Sequence, residues 1–113
     1  MKYIVYKTTN LINNKIYIGI HGTKDPSIFD GYIGNGINIF RHNKFINSIP
    51  FHRAVVKYGY NAFYRETLHV YSSKQEALAM ELSLVDNDFI NRSDTYNITL
   101  GGGAPPRSDI KCY

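Results

Sequence analysis

A chain of 113 residues fits one compact domain and leaves little room for a second; 43% hydrophobic residues are enough for a core, and 19% charged residues do not make a disordered composition. A net charge of +4 and an isoelectric point near 9.2 suit a polyanionic partner such as nucleic acid without requiring one. The single cysteine, Cys112, excludes an intrachain disulfide framework and a cysteine-based structural zinc site, and favours a reducing, intracellular setting.

The first residues run straight into a strand-like pattern, with no signal peptide and no apolar run long enough to cross a bilayer. Tyr3 to Thr8, rich in β-branched and aromatic residues, predicts a strand. Asn10 to Asn14 predicts a turn, since asparagine tolerates left-handed backbone. Lys15 to His21 predicts a second strand. Its period of two puts Ile16, Ile18 and Ile20 on one face and Tyr17, Gly19 and His21 on the other. The two strands form a hairpin with one face buried.

Gly22 to Gly36 carries Asp25-Pro26, Asp30-Gly31 and Gly34-Asn35-Gly36, all turn signals, and predicts a long loop of the functional sort. Ile37 to Phe45 fits a short helix. Pro50 suits the first position of a helix over Pro50 to Tyr58, with Phe51, Ala54, Val55 and Tyr58 as its apolar stripe and Gly59 as its cap. Phe63 to Tyr71 predicts a third strand. Ser73 and Glu76 form a capping box that opens the longest helix, with Leu78, Leu82, Val85 and Phe89 as its buried stripe. Tyr96 to Leu100 closes the domain as a strand or extended segment, and no internal repeat is found. The order predicts an α+β domain over residues 1–100, a small three-stranded antiparallel sheet flanked by helices, with residues 101–113 as a Gly/Pro-rich tail or the start of a linker.

Glu81 stands inside the most apolar helix, where a carboxylate costs free energy unless it reaches solvent, pairs with a cation or binds a metal. One carboxylate is enough for Mg²⁺, which fills its shell with water and phosphate oxygens. On the hairpin, Tyr17 and His21 share the face opposite the isoleucines, and Gly19 between them lets a ligand or another backbone come close. The basic residues Arg41, His42, His52 and Arg53 are candidate phosphate contacts. Arg53 and Lys57, one turn apart, equally fit a solvated helix face, and His52 equally fits a structural role. The ten tyrosines can fill a core, stack on bases or move protons, and their number does not choose.

Ile4-Val5-Tyr6, ten intervening residues and Tyr17-Ile18-Gly19 together resemble the signature of the GIY-YIG nucleases. Arg53 to Gly59 followed by Asn61-Ala62-Phe63 is similar to a helix-to-strand segment of phage-type members. Glu81 falls in the helix that carries the family's metal-binding glutamate, and Tyr96-Asn97-Ile98 before Gly101-Gly102 resembles its closing segment. The resemblance runs from Tyr3 to Gly102. It departs at the first triplet, which is Ile-Val-Tyr, and at the family's arginine, for which Arg41 is the first candidate, Arg53 the second, and His21 a partial substitute.

The resemblance implies a DNA endonuclease with one Mg²⁺ or Mn²⁺ on Glu81. Tyr6 would be the general base or position the water, helped by positive charge nearby, because an ordinary tyrosine titrates near 10. Tyr17 would orient water or phosphate, and Asn97 would position the glutamate or the backbone. Homing, repair and restriction roles stay open, as do a monomer or transient dimer and a further C-terminal DNA-binding domain. A non-catalytic nucleic-acid-binding module is the competing reading, since basic charge and exposed tyrosines suffice for it.

Overall fold

The computed structural model describes residues 1–41 and 49–101. Two long strands, β1 (Lys2–Asn10) and β2 (Ile16–Thr23), form the predicted hairpin, with Tyr6 directly opposite Gly19. A miniature hairpin follows, β3 (Tyr32–Gly34) and β4 (Ile37–Asn38). Then come α1 (Pro50–Tyr58), a short 3-10 turn over Tyr60–Ala62, β5 (Phe63–Tyr71), α2 (Lys74–Leu84) and α3 (Asn87–Ile90). The main sheet is antiparallel with order β2-β1-β5, so β1 is central and paired on both sides. The expectation of an α+β domain around a three-stranded antiparallel sheet holds.

Alternation along the strands separates two cores. Val5 and Ile18, with Ile16 and Ile20 beside them, face α2 and α3 and pack on Ala77, Val85 and Phe89. On the other side Phe51, Ala54 and Val55 of α1 join Ile33, Ile37, Phe63 and Tyr96. β1 turns Ile4, Tyr6, Thr8 and Asn10 to this second side, all buried. Its buried polar groups are satisfied by loops: the Thr8 hydroxyl donates to the Ile33 carbonyl at 2.7 Å, and the Asn10 carboxamide donates to the Tyr96 hydroxyl at 3.1 Å. Each such bond adds about 1 kcal/mol net, and leaving the group unsatisfied would cost more. They fasten the β3–β4 hairpin and the closing segment to the sheet.

Three expectations are corrected. Ile37 to Phe45 is not a helix over its described part, because Ile37–Asn38 pairs with Tyr32–Gly34, turning at Asn35 (φ 49°) and Gly36 (φ 81°); residues 42–48, His42 among them, lie outside the described residues. Next, the stripe predicted from Leu78 to Phe89 holds at its C-terminal end, where Val85 and Phe89 are buried as expected, and is one residue out of register before it. Leu82 is 49% exposed, while Ala77 and Val85 are fully buried and Met80 and Leu84 pack beside them. The helix also stops at Leu84, so Phe89 belongs to the separate α3, capped by Asp86 accepting from the Phe89 amide. Last, of the two forms expected for residues 96–100, a strand or an extended segment, the strand is not made. One parallel bridge, Ile16 to Thr95, and the Asn97 side chain attach this segment to β2. The Ser73 cap stands as expected, accepting from the Glu76 amide at 3.1 Å. The tail from residue 102 lies outside the described residues.

Candidate active site

Tyr6 is 1% exposed. Its hydroxyl sits over Gly19, where an added Cβ would lie 2.6 Å from it, and a Cβ at Gly34 would lie 3.1 Å from the same oxygen. Gly34 has φ 134°, a conformation that favours glycine. The triplet Tyr17-Ile18-Gly19 thus recurs as Tyr32-Ile33-Gly34, and the two glycines bracket one phenol. The register also slips between Val5 and Tyr6 along β5, where Tyr6 faces Thr67 and Leu68 is extra. A bulge at this point re-aims the strand beside Tyr6.

Three tyrosine rings meet here, Tyr6 lying 6.3 Å from Tyr17 and 6.1 Å from Tyr32 between centroids. Burial pushes the Tyr6 phenol well above its ordinary value, and the charges of Tyr17, Tyr32 and Glu81 add to this, while Arg65 opposes it. Burial likewise raises Tyr17, with Tyr32 and Glu81 contributing. Both are neutral phenols at neutral pH. The Tyr17 hydroxyl donates to Asn35 Oδ1 at 3.1 Å.

Glu81 lies one helical turn from Ala77 and one from Val85, both fully buried, and so points along the sheet side of α2. It shares a cleft of about 250 Å³ with Tyr17, Asn35, Ile49, Phe51 and the segment from Tyr96 to Leu100. Asn97 forms part of the same wall. Its Oδ1 accepts from the Ile18 amide at 2.9 Å and its Nδ2 donates to the Ile18 carbonyl at 2.8 Å. It therefore clamps the backbone between Tyr17 and Gly19.

His21 is half-buried on the Tyr17 face. It stacks on Tyr32 at 4.2 Å, 8° from parallel, and its Nε2 lies 2.6 Å from Asp30 Oδ2. Arg65, from β5, reaches the other carboxylate oxygen of Asp30 at 3.2 Å and the Tyr32 carbonyl at 2.9 Å. Its guanidinium lies 5.9 Å from the Tyr6 ring centroid, and its side chain is only 4% exposed. Burial pushes the Asp30 carboxyl up, but hydrogen bonds from His21 and the Tyr32 amide and the charges of His21 and Arg65 outweigh it and leave the group below its ordinary value.

The predicted set thus divides. Tyr17, Glu81 and Asn97 line one cleft, and Tyr6, Gly19 and His21 lie on the strand face behind it. Arg41 and Arg53 are exposed, and neither lines the cleft. The buried cation beside Tyr6 is Arg65. His52 is buried and donates from Nε2 to the Asn35 carbonyl at 2.8 Å, which fits its structural reading. Sequence reasoning missed Asp30, Tyr32, Asn35 and Arg65. The repeated Tyr-Ile-Gly was the available signal for the middle two; Arg65 had none, since its partners lie more than thirty residues away.

Among the described residues no three His, Cys, Asp or Glu side chains gather as a cage for a metal. An ion in this cleft would rest on one carboxylate, with water and substrate oxygens completing the shell, and that donor set fits Mg²⁺ or Mn²⁺. No helix among the described residues is long and apolar enough to cross a membrane.

Comparison with known proteins gives relatives from one virus. The chain is 42% identical over 106 residues to a protein named "Putative endonuclease segD" of Enterobacteria phage T4, covering 94% of this chain and 41% of the relative. It is 42% identical over 102 residues to "Putative endonuclease segB" of the same phage, covering 90% of this chain and 40% of that protein. It is 37% identical over 97 residues to "Endonuclease segA", covering 86% and 38%. The chain spans about two fifths of the length of the curated relatives it matches. No family model and no solved structure matches it.

Proposed function

We propose that this chain is the catalytic domain of a metal-dependent DNA endonuclease of the GIY-YIG kind, of the homing type. The observation that carries the reading is the convergence of Tyr17 from a strand, Glu81 from a helix and Asn97 from the closing segment on one open cleft, with the buried Tyr6 phenol behind Gly19. Pure binding needs no carboxylate facing a polyanion, because like charges repel. The names of the relatives support the same substrate.

Glu81 would hold Mg²⁺ or Mn²⁺, which supplies Lewis-acid stabilisation of charge on the scissile phosphate. The chain's own residues do the rest. Tyr6, its phenol raised by burial, would orient the attacking water through its oxygen. Tyr17 presents its hydroxyl oxygen to the same space. Asn97 fixes the Ile18 peptide, and so the spacing of Tyr17 and Gly19. Asp30 and Arg65 hold His21 and Tyr32 against this group. Attack of water on phosphorus breaks the bond to the 3′-oxygen, leaving a 5′-phosphate and a 3′-hydroxyl. Choice of DNA site is assigned to protein beyond this domain, since the relatives extend well past the matched part.

The test is plasmid nicking at low salt with Mg²⁺, beside Tyr6→Phe and Glu81→Ala. Wild-type cleavage lost in both variants is expected, with a drop of roughly 10³-fold or more. DNA binding with no cleavage in Mg²⁺ or Mn²⁺ would replace the nuclease by a binding module.

A further inference from the structure

We propose that Asn35 is a substrate-contacting residue of the cleft, donating from Nδ2 to a non-bridging oxygen of the scissile phosphate; this rests on the phosphodiester-cleaving reading above. The argument is an account of donors. Among the described residues the polar side chains on the cleft walls are those of Tyr17, Asn35, Glu81 and Asn97, with the Tyr96 hydroxyl turned to Asn10 and Asn13 and the exposed Thr99 offering a single hydroxyl donor from the closing segment. Glu81 offers only oxygens. Tyr17 spends its proton on Asn35 Oδ1 and turns lone pairs outward. Asn97 spends both ends of its carboxamide on the Ile18 backbone. Arg65 is committed to Asp30 and the Tyr32 carbonyl, and Arg41 and Arg53 do not line the cleft. Asn35 spends only its oxygen among the described residues, which leaves two Nδ2 hydrogens for a phosphate.

The side chain is also built into place. Gly34, Asn35 and Gly36 have φ of 134°, 49° and 81°, three successive residues in the left-handed half of conformational space. Asparagine is among the few side chains that tolerate this. The Asn35 carbonyl is held by the buried His52 at 2.8 Å, and the next amide, of Gly36, donates to the Tyr32 hydroxyl at 3.1 Å. Backbone and side-chain oxygen are thus tethered separately, which fixes the plane of the carboxamide and leaves its N–H groups as the uncommitted part of the side chain. A neutral donor suits this place. It attracts a phosphate oxygen without competing with a cation for Glu81, as an arginine would.

Two substitutions separate phosphate contact from support of Tyr17. Asn35→Asp keeps an oxygen for the Tyr17 hydroxyl and tolerates the backbone, but puts a carboxylate oxygen where the N–H groups were. Asn35→Gly removes the side chain without strain. Both are assayed by nicking with Mg²⁺ at saturating and limiting DNA, after thermal melts establish that they fold. Each should slow cleavage by about 10²-fold, mainly in kcat, as loss of one transition-state donor does. Asn35→Gly should slow a Tyr17→Phe protein further, because its contact is with substrate and not only with Tyr17. If Asn35→Asp cleaves at the wild-type rate while Glu81→Ala is dead, Asn35 merely holds Tyr17 and the inference is overturned, with the nuclease reading intact. If the wild type cleaves in neither Mg²⁺ nor Mn²⁺, the nuclease reading itself falls and takes this one with it.

Discussion

The two faces of one three-stranded sheet are built on different chemistry. Toward α2 and α3 the strands offer Val5, Ile16, Ile18 and Ile20, and the contacts are apolar, with the Phe89 ring among them. Toward α1 and the β3–β4 hairpin the same strands offer Tyr6, Thr8, Asn10, Tyr17 and His21, which add aromatic edges and hydrogen bonds to the apolar core around Phe51, Val55, Ile33 and Ile37. The apolar face gains from area removed from water, which is indifferent to direction. The directional contacts of the second face gain only where donors, acceptors and rings meet at fixed angles. That directional demand gives Tyr6, Tyr17 and His21 fixed positions. One face of the sheet is thus held by apolar area, while the other adds directional contacts to its own apolar core.

Phe89→Ala gives the sharpest contrast. Its buried ring packs only the apolar face, so its loss should cost about 3 kcal/mol, read as a lower urea midpoint. Cleavage per folded molecule should stay at the wild-type level; a specific activity that fell with stability would dissolve the distinction between faces. Gly19→Ala should do the reverse. The new methyl meets the Tyr6 hydroxyl and the Tyr17 ring and should slow nicking about 100-fold, equivalent to about 2.7 kcal/mol in the barrier. Normal activity in this variant would show that the position of the phenol is unimportant.

Arg65→Met touches both properties at once, because the guanidinium pins the hairpin through Asp30 and the Tyr32 carbonyl. A loss of about 2 kcal/mol in stability and a parallel fall in cleavage are expected. The smallest effect is expected from Asp30→Asn, and it should depend on pH. The folded Asp30 carboxyl titrates below its ordinary value, so its contribution is present above pH about 4, near the unfolded value, and is lost as pH falls through the folded one. Urea midpoints of wild type and variant should differ at pH 7 and converge toward pH 3. A gap that stays constant over that range would mean that the Asp30 charge adds nothing.

The fold was legible wherever local rules decided it. Pro50–Tyr58 and Phe63–Tyr71 stand as read from the sequence, because a first-turn proline, a capping glycine and β-branched and aromatic alternation act within a few residues. The isoleucine and tyrosine faces of β2 followed from a period of two. Leu78 and Leu82 were placed on the buried stripe because leucines dominate α2, whereas the space above the sheet there takes Ala77 fully; Val85 and Phe89 are buried as expected. Tyr17, Glu81 and Asn97 were legible as candidates, and they line one cleft. What surrounds them was not: Thr8 to Ile33, His21 to Asp30 and Arg65 to Tyr32 join distant residues, and no spacing rule encodes such pairs. The expected arginine was sought near the family's position, while the buried one arrives from β5.

The ring cluster of Tyr6, Tyr17 and Tyr32 also bears on how this molecule can be observed. With no tryptophan in the chain, its near-ultraviolet absorption and emission come from tyrosine, and the rings of Tyr17 and Tyr32 both lie within 6.3 Å of the Tyr6 ring behind the cleft. Rings so close exchange excitation, and a change in the field at one alters the light from all three. The folded protein therefore carries an intrinsic optical reporter at the site, and a titration with metal or DNA can be followed with no label attached.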